Sequence, residues 1–255
     1  MIQEIIPLIQ SAEIESDGEV TLARALAYEL QNKYEAVVCQ GVLYLYDSGI
    51  WHKVERDSLL SAIQAFNGLT WLVDEKVKTV KLSHAKVMGI YNSLLLCREL
   101  LDDSFFDEIP NGVCFEDCFL SIQDGKLAVL KHSPEHKATM KIDQNLPKDP
   151  QRVVPTSFLS FLDELFRGDP DAAEKVVLIR QFIGVCLAGC ATDLQRSLLL
   201  YGAGGNGKSV LLDIIASCFD PSTVVSSSPS RWSEEYYISQ LHPSSARINI
   251  CSELP

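Results

Sequence analysis

Eight consecutive residues, Gly202-Ala203-Gly204-Gly205-Asn206-Gly207-Lys208-Ser209, match the pattern G-x-x-x-x-G-K-[S/T] in full. Glycines in these places let the backbone curl so that successive N–H groups point inward at phosphates. The Lys208 ammonium then reaches the β and γ oxygens, and the Ser209 hydroxyl is a ligand for Mg. A helix beginning near Lys208 adds the positive end of its dipole. Gly202 through Val210 are therefore the candidate nucleotide-binding residues, with ATP and Mg as the expected ligands. Lys208 is also a candidate catalytic residue, and Ser209 is the candidate metal ligand.

Such a loop needs a strand before it and a helix after it. Ser197-Leu198-Leu199-Leu200-Tyr201 is an apolar run with no breaker, which predicts a strand buried on both faces of a parallel sheet. Val210, Leu211, Ile214 and Ile215 fall at helical spacing, and Phe219 continues the stripe until Asp220-Pro221 stops it. Further on, Ala246-Arg247-Ile248-Asn249-Ile250-Cys251 reads as a short strand that delivers Ser252-Glu253 at its carboxyl end, where an open α/β sheet places its ligands. Glu253 is the second candidate catalytic residue, a carboxylate to orient and deprotonate the attacking water. Many such ATPases carry two acids here, and this chain has Ser252 in the first place. Mg would then rely on Ser209, the phosphates and water, which suit an ion that keeps several waters.

Residues 34–255 resemble the phage, plasmid and poxvirus primase-helicases, whose motor is a superfamily 3 helicase of the AAA+ type. Four pieces carry the resemblance in order: Leu43-Tyr44-Leu45-Tyr46-Asp47-Ser48-Gly49-Ile50-Trp51; Asn111-Gly112-Val113 followed by Asp124-Gly125-Lys126-Leu127; Phe182-Ile183-Gly184 through Leu187-Ala188-Gly189; and Trp232 to Tyr237, Leu241, then Asn249 to Pro255. The resemblance implies an α/β fold, with a mixed helical and β-hairpin accessory domain followed by the first half of an AAA+ type P-loop NTPase sheet. It implies ATP hydrolysis coupled to DNA unwinding in a hexameric ring of the complete protein, in the cytoplasm of a bacterial host or encoded by a virus. In that family a polar sensor residue, a DNA-gripping hairpin and an arginine finger follow the acidic motif, and a primase domain often precedes. The chain is therefore expected to be the front half of a motor, monomeric and nearly inactive alone, with DNA as a partner only of the complete protein. Two alternatives stay open: a hydrolysis-incompetent nucleotide-binding or assembly module, and a P-loop small-molecule kinase, for which no arginine-bearing lid or acceptor pocket is legible.

The expected organisation is an acidic N-terminal segment over 1–20, an accessory domain over 21–190 and a partial ATPase domain over 191–255. The first segment is expected to fray, the alternative being a docked helical turn through Ile5, Ile6 and Ile9. Helices are predicted over 22–33, 58–66, 83–101, 157–166 and 172–189, with a Tyr-rich hairpin running to Val54. A second hairpin joins 119–122 to 127–130 through Asp124-Gly125. The alternating Tyr44, Tyr46 and Trp51 read as packing rather than as base-stacking platforms. Eight cysteines include the pairs Cys114/Cys118 and Cys186/Cys190, read as reduced core residues rather than zinc ligands or disulfides. Pro134 between His132 and His136 argues against a helical metal pair. The longest apolar stretch, over 182–191, is about half of what a membrane span needs.

Charge bears on the DNA partner. The chain has 22 basic and 34 acidic residues, a net −12, and residues 196–255 hold only four of the bases and five of the acids. From Glu99 to Gly125 there are eight acids and no Lys or Arg. Such a surface repels a phosphate backbone. Binding of this chain to a labelled oligonucleotide, read by fluorescence anisotropy, is expected to be no better than non-specific, with a Kd of about 10⁻⁴–10⁻⁶ M at physiological salt. Nanomolar binding under those conditions would expose a basic groove that linear charge counting misses.

Overall fold

The computed structural model describes residues 2–123, 125–202, 204–241 and 246–252. The chain is mixed α/β, built of helices and four small sheets among the described residues, and divides into two compact units at Glu108/Ile109. That division differs from the motif-based one at 190/191. It puts the helices over 156–188 in the same unit as the glycine-rich loop.

In the first unit α1 (Ile2–Ser11) and α2 (Glu19–Lys33) precede an antiparallel meander of β1 (Glu35–Cys39), β2 (Val42–Asp47) and β3 (Ile50–Lys53). The meander's two-residue turns, Gln40-Gly41 and Ser48-Gly49, have positive φ throughout, the geometry that matches strand twist. Over Ile2–Ser11 the N-terminal segment takes the docked helical form, α1, with Ile5 and Ile9 fully buried in the core alongside Leu22, Leu26 and Leu30 of α2. Tyr34 strengthens the docking by donating its hydroxyl proton to Glu4 Oε2 at 2.7 Å. Next come α3 (Arg56–Ile63), the hairpin β4 (Thr70–Val73) and β5 (Lys76–Thr79), and α4 (His84–Leu95), which packs along α2.

Helix α4 stops well short of the predicted residue 101, and the reason lies in β1. Val38 donates to Leu100 O at 2.7 Å and accepts from Asp102 N at 2.9 Å, so the segment after α4 is drawn out beside β1. The same pull sets Phe106 edge-on to Tyr44 and Phe105 edge-on to Trp51, each at 4.8 Å between ring centroids. Tyr44 and Trp51 are both 4% exposed and serve as packing residues.

The second unit opens with an antiparallel sheet of β6 (Gly112–Cys114), β7 (Phe119–Gln123) and β8 (Lys126–Leu130). The hairpin between 119–122 and 127–130 is present. Gly125 at φ +71° makes its turn, and Asp124 lies outside the described residues. His136 stacks on Phe119 at 4.1 Å, and the His132 ring lies 3.0 Å from Phe115 O. Among the described residues no cluster of three or more His, Cys, Asp or Glu side chains is arranged to hold a metal ion. Helices α5 (Thr156–Leu165), α6 (Ala172–Ala188) and α7 (Ala191–Leu194) follow. Gly189, at φ +79°, closes α6 in the left-handed conformation that a helix end favours. The unit is completed by α8 (Lys208–Ala216), β9 (Val224–Val225), α9 (Glu235–Ser239) and β10 (Ile248–Asn249), with β10 parallel to β9. No helix among the described residues is long and apolar enough to cross a membrane.

Two carboxylates tie down the start of the chain. Tyr34 holds Glu4, and the Lys86 ammonium holds Asp17 at 2.6 Å, so both carboxyls lie below their ordinary values of 4.5 and 3.8. The unfolded chain therefore takes up these protons first as pH falls. The stabilisation is complete at neutral pH and is lost from about pH 4 downward, as pH approaches the folded values. Thermal unfolding is expected to show Asp17→Asn below the wild type at pH 7, with the gap closing toward pH 2.5. A gap that widened on acidification would contradict the assignment.

Candidate functional site

Why α8 begins where it does follows from Gly207. At φ +79° this residue sits in a conformation that costs other residues, and its carbonyl accepts the first bond of the helix, from Leu211 N at 2.9 Å. The N–H groups of Lys208, Ser209 and Val210 lie ahead of that ladder and point along the axis toward the loop, which leaves the positive end of the helix dipole facing it. One side of α8 is buried: Leu211, Ile215 and Phe219 join Leu162 of α5, Ile179 and Cys186 of α6, Met140 and Ile248 in a single core. Val210, placed on the same stripe by the sequence, is half exposed and lies off the packed side.

The loop takes its shape from glycine freedom and from close packing beneath it. Gly205 has φ +73°, and a Cβ added at Gly204 or Gly205 would meet nothing, so this part of the loop faces open space. Beneath Gly207 the opposite holds, since a Cβ there would come within 3.1 Å of Leu165 Cδ1, with the Phe161 ring at 3.9 Å. Lys208 Nζ donates to Gly202 O at 2.9 Å and to Asn206 Oδ1 at 2.7 Å, which brings the first glycine, the asparagine and the lysine of the motif together. Ser209 is exposed at the helix mouth, and Ala203 lies outside the described residues.

The strand predicted over 197–201 does not form. Leu198 and Leu200 pack against the core, but Leu199 is 67% exposed and Tyr201 97% exposed. A strand is held by a hydrogen-bonded neighbour, and among the described residues none pairs with this segment. The alternating burial shows that the run has one inner side and not two.

The second element of the site is better formed. β10 occupies the predicted place, with Arg247 N donating to Thr223 O and Ile250 N to Val225 O, each at 2.8 Å. The Asn249 side chain adds a further pair of bonds. Its Oδ1 accepts from Ser227 N at 2.8 Å, and its Nδ2 donates to Ser227 O at 3.0 Å. At the opposite end of β10 the Arg247 guanidinium rests on the C-terminal end of α6, where a Cβ on Gly189 would come within 2.6 Å of Nη1. Burial lowers the pKa of Arg247, and among the described residues its Nε has no hydrogen-bond partner. The negative end of the α6 dipole is the compensation at hand. Ser252 is exposed just past the strand, and Glu253 lies outside the described residues.

No protein-family model matches the chain, and a search of the curated proteins returns no match. Sequence reasoning missed two features of this site, the Asn206 bond to Lys208 and the Asn249 bracket. Both are side-chain contacts whose partners are set by loop geometry, and no spacing rule announces them.

Two glycines in this unit are expected to respond in opposite directions to alanine. Gly207→Ala meets both a left-handed φ and Leu165, and is expected to destabilise the fold on the order of 1–2 kcal/mol. Gly184, exposed within α6 with open space about it, is expected to gain up to about 1 kcal/mol from the better helix former. Urea unfolding of both variants reads the signs directly, and equal effects would contradict the geometry of the loop.

Proposed function

We propose that the chain binds ATP with Mg through Gly202 to Val210, and that it is the ATP-binding portion of a DNA helicase of the primase-helicase type. The observation that carries the nucleotide reading is the approach of Lys208 to Gly202 and Asn206 at the mouth of α8, beside glycines that face open space. The residues fit the ligand chemically. The lysine and the helix-mouth N–H groups suit phosphate oxygens, and the exposed Ser209 hydroxyl suits Mg. In this reading Ser209 would hold Mg, which would supply charge neutralisation at the phosphates, while Lys208 would hold the β and γ oxygens and Glu253 would orient and deprotonate water. The helicase assignment rests on the four matching sequence pieces and their order. In that setting ATP hydrolysis drives DNA unwinding by a hexameric ring of the complete protein.

A second reading, a nucleotide-binding module without turnover of its own, is favoured by the segment 197–201, which leads into the loop without a paired strand among the described residues. Both readings require the same lysine. Fluorescent ATP titrated into the chain is expected to bind Lys208→Ala more weakly than the wild type by about 1.5–3 kcal/mol, the worth of a hydrogen bond to a charged group. Glu253→Gln is expected to bind ATP as the wild type does, with any turnover abolished. Equal affinities of wild type and Lys208→Ala would remove the nucleotide assignment.

A further inference from the structure

The Asn206 side chain lies across the loop. Its Oδ1 accepts from Lys208 Nζ at 2.7 Å, while its Nδ2 sits over Gly202, where an added Cβ would collide with it. The lysine bonds Gly202 O at the same time, so its ammonium is held by groups of the loop itself. The carboxamide oxygen therefore stands where an oxygen acceptor of a ligand would stand. A second feature makes the arrangement more than a surface contact. Gly202 has no side chain, and any substituent there would push the carboxamide away from the lysine.

Resting on the reading that this loop takes ATP, we propose that Asn206 is a positioning residue that competes with the ligand's β-phosphate for Lys208 and so sets the affinity for nucleotides bearing one. A phosphate oxygen carries charge and the amide oxygen does not, so the phosphate wins the ammonium. The bond surrendered by Asn206 is subtracted from the gain. Asn206 is exposed and its backbone needs no special φ, so replacing it leaves the fold in place. A nucleotide with no β-phosphate makes no demand on the contact.

Calorimetric titration of the full chain with ADP, inorganic pyrophosphate and AMP tests this, with unfolding temperatures of the ligand-free proteins measured alongside. Asn206→Ala is expected to bind ADP and pyrophosphate about three- to tenfold more tightly than the wild type, the range of a single net hydrogen bond. AMP binding is expected to be unaltered. Asn206→Ser, too short to reach Nζ, is expected to follow the alanine variant. Asn206→Asp should bind ADP and pyrophosphate more weakly than the wild type, because a carboxylate holds the ammonium more firmly and repels phosphate. If the wild type binds ADP and Asn206→Ala binds it equally or less well, the competition is overturned and the nucleotide site stands. If the wild type binds neither ADP nor pyrophosphate, the nucleotide reading itself falls, and this proposal with it.

Discussion

Burial of one side of α8 organises the unit over 109–255. Leu211, Ile215 and Phe219 enter a core with Leu162, Ile179, Cys186 and Ile248, and each such side chain contributes about 1.5–3 kcal/mol when removed from water. A helix of nine residues has little stability alone, so its existence and its direction are properties of this contact. Because Leu165 and Phe161 lie beneath Gly207, the packing also fixes where the helix mouth opens, and the loop follows. The lysine, the serine and the helix dipole are thus aimed by a hydrophobic surface one turn further along the chain.

Elements governed by short-range chemistry were legible beforehand, and those governed by partners were not. Helix α8 was readable because Gly207 starts it and Asp220-Pro221 follows it, and the turn at Gly125 was readable because glycine tolerates positive φ. The hairpin of β4 and β5 was not, since its turn places Glu75 beside Asp74 at positive φ, a conformation that aspartate tolerates but glutamate does not advertise. The end of α4 is not legible in its own sequence because it is decided by Val38, some sixty residues earlier in the chain. The run over 197–201 failed for a related reason. Apolar composition signals burial, but only a neighbouring strand makes a strand, and the exposure of Leu199 and Tyr201 shows one-sided burial instead. Of the candidate site, residue types and spacing announced the loop and β10, whereas the contact between Asn206 and Lys208 needed coordinates.

Electrostatics divide the molecule by role. The acidic stretch over 99–125 carries no Lys or Arg of its own and receives one from outside, Lys141 on Glu116, while Lys86 is held by Asp17. Arg247 is handled differently, its half-buried guanidinium resting on the C-terminal end of α6 with its pKa lowered by burial. Buried thiols follow the same economy. Cys97, Cys114 and Cys186 are each pushed up to about 11 by removal from water, so they act as small apolar residues and stay protonated at neutral pH.

The Asn249 bracket has a consequence for how the chain is indexed along itself. A carboxamide is a peptide unit in miniature, and by meeting both the N–H and the C=O of Ser227 it supplies one more rung to a ladder whose two strands are only two residues long. A slip of β10 by a single residue would move that carboxamide to the other face and break both of its bonds at once. The bracket therefore works as a detent. It permits one alignment of the 248–249 segment against 224–225, and Ile250 to Ser252 inherit their distance from the core from that single allowed stop.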